Sequence, residues 1–160
     1  MNEPHDMPTP QTLTSYNTSF TQQQFVKNTI FSSASTDGYS LDSTYSVSMD
    51  DSYVGRYSIK LSTESSGDYS NFTTENVSTG IPVQPNTEYT FSVYYRCDMT
   101  SNPEVFINSG SAYGASLVGS NFSFANSWTR LVMSFTTGTS DTNVWMRIQN
   151  NGGTGVAYFD

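Results

Sequence analysis

The chain has 160 residues, of which 35% are hydrophobic, 14% aromatic and only 12% charged, and its formal net charge is −8. With only six Lys and Arg residues, it has no basic patch for nucleic-acid phosphates or for an anionic membrane surface. Its single cysteine, Cys97, excludes an intrachain disulfide and is expected to be a small buried hydrophobe near a strand end. The abundance of Thr, Tyr, Phe and Val predicts one domain built from strands.

The first 24 residues differ in composition from the rest of the chain. They contain three of the six prolines, the only histidine (His5) and a Gln-, Thr- and Ser-rich run with little apolar content. Such a composition is typical of an extended, poorly ordered linker. This segment contains no charged stretch followed by an apolar run, so no signal peptide is predicted. We therefore expect a linker at residues 1–24 and a folded module at residues 25–160.

Beyond the linker, short apolar runs alternate with clusters of turn-forming residues, as in a β-sandwich. The predicted strands, in chain order, are Phe25–Phe31, Tyr45–Met49, Tyr57–Ser62, Phe72–Val77, Tyr89–Arg96, Glu104–Asn108, Ser116–Phe124, Thr129–Thr136, Asn143–Gln149 and Val156–Phe159. About ten strands without intervening helices predict an all-β fold, a two-sheet antiparallel β-sandwich of the jelly-roll type.

Alternation with period two identifies the core-facing side of three of these strands. The residues predicted to face the core are Tyr89, Phe91, Val93, Tyr95, Leu131, Met133, Phe135, Val144, Met146 and Ile148. Trp128, which opens a strand, is expected to plug the core.

Two strands carry an unusual mixture of aromatic, guanidinium and amide groups on the side away from the core. These residues are Tyr94 and Arg96 on one strand and Trp145, Arg147 and Gln149 on the other. Sugars need this mixture, because their C–H faces pack on aromatic rings and their hydroxyls bond to guanidinium and amide groups. Each residue also has a structural explanation: the rings could pack under a loop, and the arginines could pair with nearby acids.

Three aromatic residues near predicted loops add to this set of candidates. Tyr69 and Phe72 follow a strand, and Tyr113 lies in the flexible run Ser109–Gly114. Loops at the end of a rigid sandwich commonly bind ligands. We therefore include all three as candidate ligand-binding residues.

Several segments, in the same order, resemble carbohydrate-binding modules of the family 4/9/22 type. They are Asn28–Phe31, Gly55–Leu61, Val83–Ser92, Ser127–Leu131 and Ala157–Asp160. The resemblance implies a jelly roll with a concave sheet that binds a glycan chain. It implies that Tyr94, Arg96, Trp145, Arg147 and Gln149 lie on strands lining that sheet, with Tyr69 and Phe72 at the cleft edge.

The same resemblance bears on a structural metal ion. Family members often hold Ca²⁺ with an acid just after the opening Phe and with the closing Asp. In this chain Phe31 is followed by Ser32 and Ser33, which are weak ligands for a hard cation, whereas Asp160 is present. Asp160 is thus the one candidate for a structural calcium site.

Catalysis is not predicted. Glycosidases need two carboxylates about 5–10 Å apart, and the acids of this chain lie mostly in turns. The sole histidine, His5, lies in the linker, which excludes a Ser-His-Asp triad and leaves Cys97 without a base.

Modules of this appearance also occur inserted in bacteriophage tail and baseplate proteins, whose Ser/Thr/Asn/Tyr-rich, Lys-poor composition this chain resembles. We therefore predict a non-catalytic module that attaches its parent protein to bacterial cell-wall saccharides. It would belong to a multi-copy assembly in a virion or outside the cell. The alternative is a structural jelly-roll domain of a virion or adhesin, whose aromatic face contacts another protein.

Overall fold

A computed structural model of the protein describes residues 39–64, 69–74 and 80–160. The strands are β1 Tyr39–Leu41, β2 Tyr45–Ser48, β3 Ser58–Thr63, β4 Tyr69–Thr74, β5 Ile81–Pro82, β6 Glu88–Cys97, β7 Glu104–Ser109, β8 Ala115–Asn121, β9 Ala125–Thr136, β10 Asn143–Asn151 and β11 Gly155–Phe159. The predicted linker and the predicted strand Phe25–Phe31 lie outside the described residues.

The strands form two antiparallel sheets packed face to face, which confirms the predicted all-β sandwich. The six-stranded sheet has the order β1-β4-β10-β7-β8, and β5 pairs with β10 beside this path. The five-stranded sheet has the order β2-β3-β11-β6-β9. None of the described residues forms a helix long and apolar enough to cross a membrane.

Two short strands, β1 and β5, were not predicted from the sequence. They contain three and two residues, too few for a period to be visible. A third strand, β4, was placed too late, since the predicted Phe72–Val77 overlaps only the second half of Tyr69–Thr74. The other described strands agree with the prediction to within a few residues.

The core between the sheets confirms the predicted alternation. Val144, Met146 and Ile148 of β10 are buried, as are Met133 and Phe135 of β9 and Tyr95 of β6. The remaining predicted core residues are partly buried and pack against this cluster: Tyr89, Phe91, Val93 and Leu131. Fully buried Cys97 ends β6 as predicted, and burial raises the pKa of its thiol.

The prediction for Trp128 is wrong. Its side chain is only partly buried and does not belong to the core cluster. Its indole Nε1 donates a hydrogen bond of 3.1 Å to Asp51 Oδ1 and its ring lies 6.1 Å from that of Tyr53. Trp128 therefore packs on the outside of the five-stranded sheet, where the segment after β2 provides it with partners.

Candidate functional site

The two strands with outward-facing aromatic and guanidinium groups belong to different sheets. Strand β6, with Tyr94 and Arg96, lies between β11 and β9, whereas β10 lies between β4 and β7. Both sets of residues point away from the core that the two sheets share, so they lie on opposite outer surfaces of the sandwich. The expectation that one sheet presents all five residues is therefore wrong.

On the five-stranded outer face, Tyr94 is covered by another ring. The Tyr53 ring stacks on it with a centroid distance of 3.7 Å and an interplanar angle of 15°. The guanidinium carbon of Arg130 lies 5.9 Å from the centroid of the Tyr94 ring. Arg130 is the residue opposite Tyr94 on β9, so this stack forms across neighbouring strands.

The segment that carries Tyr53 is fixed by two carboxylates. Asp51 pairs with the guanidinium of Arg96 and accepts the indole N–H of Trp128. Asp160 Oδ2 accepts the backbone N–H groups of Tyr53 and Val54 at 2.8 and 2.9 Å. Tyr94 and Arg96 thus have partners within the protein, and this arrangement favours their structural explanation over ligand binding.

The same contacts test the calcium site that the family resemblance implies. Oδ2 of Asp160 already accepts two backbone N–H groups, which leaves one oxygen of its carboxylate for a metal ion. Among the described residues, no three acidic, histidine or cysteine side chains cluster as metal ligands. Within this part of the chain, Asp160 does not fit a calcium site; Ser32 and Ser33 lie outside it.

On the six-stranded outer face, Trp145 points away from the core as predicted but is only 6% exposed. A Cβ on Gly80 would lie 2.6 Å from Trp145 Cε2, so the indole packs directly against the backbone of this glycine. Gly80 has a φ of +60°, which also favours glycine. Trp145 is therefore buried on this face, beneath Gly80.

Arg147, the next outward residue of β10, lies beside two aromatic rings. Its guanidinium carbon is 4.8 Å from the centroid of Phe106 and 5.2 Å from that of Tyr113. Phe106 is the residue opposite Arg147 on β7, and its ring lies across Gly119 of β8, where a Cβ would approach it to 2.8 Å. A glycine in a strand often marks such a close approach.

The Tyr113 ring reaches Arg147 because a buried amide holds its loop. Asn108 Nδ2 donates to the carbonyl of Ala112 at 2.6 Å, and the N–H of Gly114 donates to the carbonyl of Ser111. Tyr113 itself is 62% exposed. The loop between β7 and β8 thus holds a solvent-exposed ring at the edge of the six-stranded outer face, as a sugar-stacking site requires.

Polar side chains continue along β10 from Arg147. Its Nη1 donates to Gln149 Oε1 at 2.8 Å, and Gln149 Nε2 donates to Asn151 Oδ1 at 3.0 Å. Asn71 of β4 and Glu104 of β7 lie on either side of Gln149 in the register. These residues form a row of amide and carboxylate groups that can exchange hydrogen bonds with hydroxyls.

Three of the predicted site residues therefore come together on this face, namely Arg147, Gln149 and Tyr113, whereas Trp145 precedes Arg147 on β10 and is buried against Gly80. Tyr69 and Phe72 lie in β4, opposite Asn151 and Ile148, and their side chains are outside the described part of the structure. The sequence prediction missed Phe106, Asn108, Glu104 and Asn71. For the three on β7, the alternation of the predicted strand Glu104–Asn108 was a usable signal.

A β-sandwich with an exposed ring, a guanidinium and a row of amides on one sheet defines a class of protein, the saccharide-binding modules. The chain belongs to the carbohydrate-binding domain family of type 4/9, whose profile matches residues 23–154. A search of curated protein sequences gives no significant match.

Solved structures support the fold. The enzymatically active domain of bacteriophage CBA120 tailspike protein 4 is similar with a TM-score of 0.69 and 13% identity. This match covers 84% of the present chain but only 20% of the tailspike chain. The CBM22-1 xylan-binding domain of Paenibacillus barcinonensis Xyn10C gives a TM-score of 0.59 at 11% identity, covering 81% and 86% of the two chains. A family 16 carbohydrate-binding module gives 0.56 at 16% identity, covering 72% and 80%.

Proposed function

We propose that this chain is a non-catalytic module whose saccharide ligand lies on the six-stranded outer face, over Tyr113, Arg147 and Gln149. The observation that carries the proposal is the exposed Tyr113 ring, held 5.2 Å from a guanidinium that begins a row of amide groups. A pyranose ring would stack on Tyr113 while its hydroxyls bond to Arg147 and to the amides.

The distribution of acids supports a binding role over a catalytic one. Glycoside hydrolysis needs two carboxylates about 5–10 Å apart across the scissile bond. In the described part of the six-stranded sheet, Glu104 is the one acidic residue that a strand contains. A single carboxylate can accept hydrogen bonds from a sugar but cannot supply both the acid and the nucleophile or base.

We further propose that the parent protein belongs to a bacteriophage tail or baseplate and that the ligand is a host cell-wall saccharide. The similarity to a phage tailspike domain supports this parent, as does a composition rich in Ser, Thr, Asn and Tyr and poor in Lys. The module would then lie on the virion, outside the cell. Multiple copies would raise a weak affinity per site through effective concentration.

The test compares variants of the two outer faces for retention on host cell walls and on a glycan array. Tyr113→Ala and Gln149→Ala should each weaken retention about tenfold, since each loses a major contact. Val132→Thr is the matched control, because Val132 is exposed on the five-stranded outer face. The proposal fails if wild type binds no glycan, or if both site variants bind as tightly as wild type.

Exposed apolar side chains on the five-stranded outer face favour a second candidate function, a structural contact with another protein of a virion or adhesin. Tyr53 and Val132 are both about half exposed there. An exposed Tyr and an exposed Val on the same sheet face could form part of the apolar centre of a protein–protein interface. Light scattering of the isolated chain tests this candidate, and a stable oligomer that Val132→Asp dissociates would support it.

A further inference from the structure

The positive charges of the described residues are divided unevenly between the two sheets. Lys60, Arg96 and Arg130 lie on strands of the five-stranded sheet, where the first two form ion pairs with Asp50 and Asp51. Arg147 is the one cation on a strand of the described six-stranded sheet, and it has no carboxylate partner there. Arg130 and Arg147 are the two cations on described strands that form no ion pair, and Arg147 is the one that lies at the proposed site.

The donors of Arg147 are used on one side only. Its Nη1 bonds to Gln149, whereas its Nε is buried and has no hydrogen-bond acceptor. Nε is closed to solvent, whereas Nη2 on the same edge is not, so an acceptor meets Nη2 first and reaches Nε as the exposed Tyr113 ring beside the guanidinium shifts. Two parallel N–H groups on one edge match the two oxygens of a carboxylate.

An Nε–Nη2 edge of Arg147 without an acceptor is unfavourable in free energy, and this favours an anionic acceptor in the ligand. A buried donor on a charged group without an acceptor is unfavourable, and a charge-assisted bond is about twice as strong as a neutral one. A sugar hydroxyl offers one oxygen and no charge, whereas a carboxylate offers two oxygens in one plane together with the opposite charge. On the basis of the proposed glycan-binding function, we infer that the ligand carries a carboxylate, as in a uronic acid residue, that pairs with Arg147.

The surroundings of Arg147 also limit how acidic the glycan is. Glu104 lies opposite Gln149, one step along the same face, and would repel a second carboxylate at that position. The net charge of −8 opposes a dense polyanion as well. The ligand is therefore a glycan with isolated acidic residues between neutral ones, with a neutral ring over Gln149 and the acidic residue at Arg147.

The experiment measures retention of the protein on acidic polysaccharides and on their carboxyl-reduced forms, in which the same rings carry a neutral hydroxymethyl group. The probes are glucuronoxylan and gellan, with isolated acidic residues, polygalacturonate as the dense polyanion, and neutral xylan and galactan. Wild type should bind a native isolated-acid probe about tenfold more tightly than its reduced form, an amount typical of one charge-assisted pair.

Substitutions at two positions should shift this preference in opposite directions. Arg147→Gln should abolish the difference between native and reduced probes, and Arg147→Lys, which keeps the charge without the planar fork, should retain part of it. Glu104→Gln should strengthen binding of the acidic probes by about twofold to fivefold relative to the neutral probes. Circular dichroism and the thermal midpoint of each variant establish that it is folded.

A direct readout does not depend on choosing the right polysaccharide. The Nε–H resonance of Arg147, assigned by its loss in Arg147→Lys, should move when sodium glucuronate is added and stay in place with methyl glucoside. If reduced or neutral glycans bind as well as acidic ones, or if glucuronate leaves this resonance unmoved, the inference is overturned while the proposed function stands. If no glycan of either kind is retained, both are overturned.

Discussion

The two outer faces of the sandwich carry similar residues, but these residues have different neighbours and different exposure. On the five-stranded outer face, Tyr94 is stacked under Tyr53 and Arg96 is paired with Asp51. On the six-stranded outer face, Tyr113 is exposed and Arg147 has no acidic partner among the residues that the structure describes. An aromatic ring and an arginine therefore stabilise the fold on one side and remain available to a ligand on the other.

The difference comes from the connections between strands. The segment after β2 folds back over the five-stranded sheet, held by Asp51 and Asp160, and brings partners to Tyr94, Arg96 and Trp128. The loop between β7 and β8 instead stands at the edge of its sheet, held by Asn108, and adds a ring without covering the row of amides. What a neighbouring loop covers thus decides whether an outward side chain has a partner within the protein or stays exposed.

The largest expected effect distinguishes the two tryptophans. Trp145→Ala should lower the free energy of unfolding by about 3–5 kcal/mol, because it empties a buried site under Gly80. Trp128→Ala, at a partly buried position with one side-chain hydrogen bond, should cost about 1–2 kcal/mol. Urea denaturation measures both values. A larger loss for Trp128 than for Trp145 would reverse the assignment of the buried indole.

A smaller effect tests how Trp145 is covered. Gly80→Ala should cost about 2–3 kcal/mol, since it combines a positive φ with a Cβ placed 2.6 Å from the indole. Gly110→Ala is the matched control, because φ is +77° there but no atom lies within 4 Å of the added Cβ. Gly110→Ala should lower the free energy of unfolding by about 1 kcal/mol, which is the cost of the positive φ alone. Equal losses of unfolding free energy in Gly80→Ala and Gly110→Ala would show that the indole of Trp145 moves aside without a cost in stability.

The smallest effect concerns Asp160 and the five-stranded outer face. Burial raises the pKa of Asp160, so the folded protein holds this proton more tightly than the unfolded chain. The contribution of Asp160 to stability is therefore largest below its ordinary pKa of about 3.9 and declines as the pH rises through the raised value.

Asp160→Asn should remove this decline, since the amide does not titrate but can still accept an N–H. The measurement is the difference in unfolding free energy between wild type and Asp160→Asn across the acidic range. A difference that grows with pH would mean that the amide donors of Tyr53 and Val54, rather than burial, dominate the pKa. Glycan retention should be the same in both proteins, because Asp160 lies on the five-stranded outer face.

Most of the fold could be predicted from the sequence, but only part of the site. Tyr95, Met133 and Met146 face the core as alternation predicted, and Arg147 and Gln149 face outward. The sequence did not show that Phe106 lies beside Arg147, because cross-strand neighbours depend on pairing between distant segments. It also placed Trp128 in the core, and it left open whether Trp145 packs under a loop.

By itself, the sequence determined that the protein is an all-β sandwich and which side of three of its strands faces the core, because a period of two is a local property of the backbone. Only the tertiary structure decided which sheet each strand joins, and so separated Tyr94 and Arg96 from Arg147 and Gln149. It also decided that Gly80 covers Trp145 while Tyr113 stays exposed. Sheet order and loop cover depend on contacts between residues far apart in the chain, and these contacts decide which outward side chains can meet a ligand.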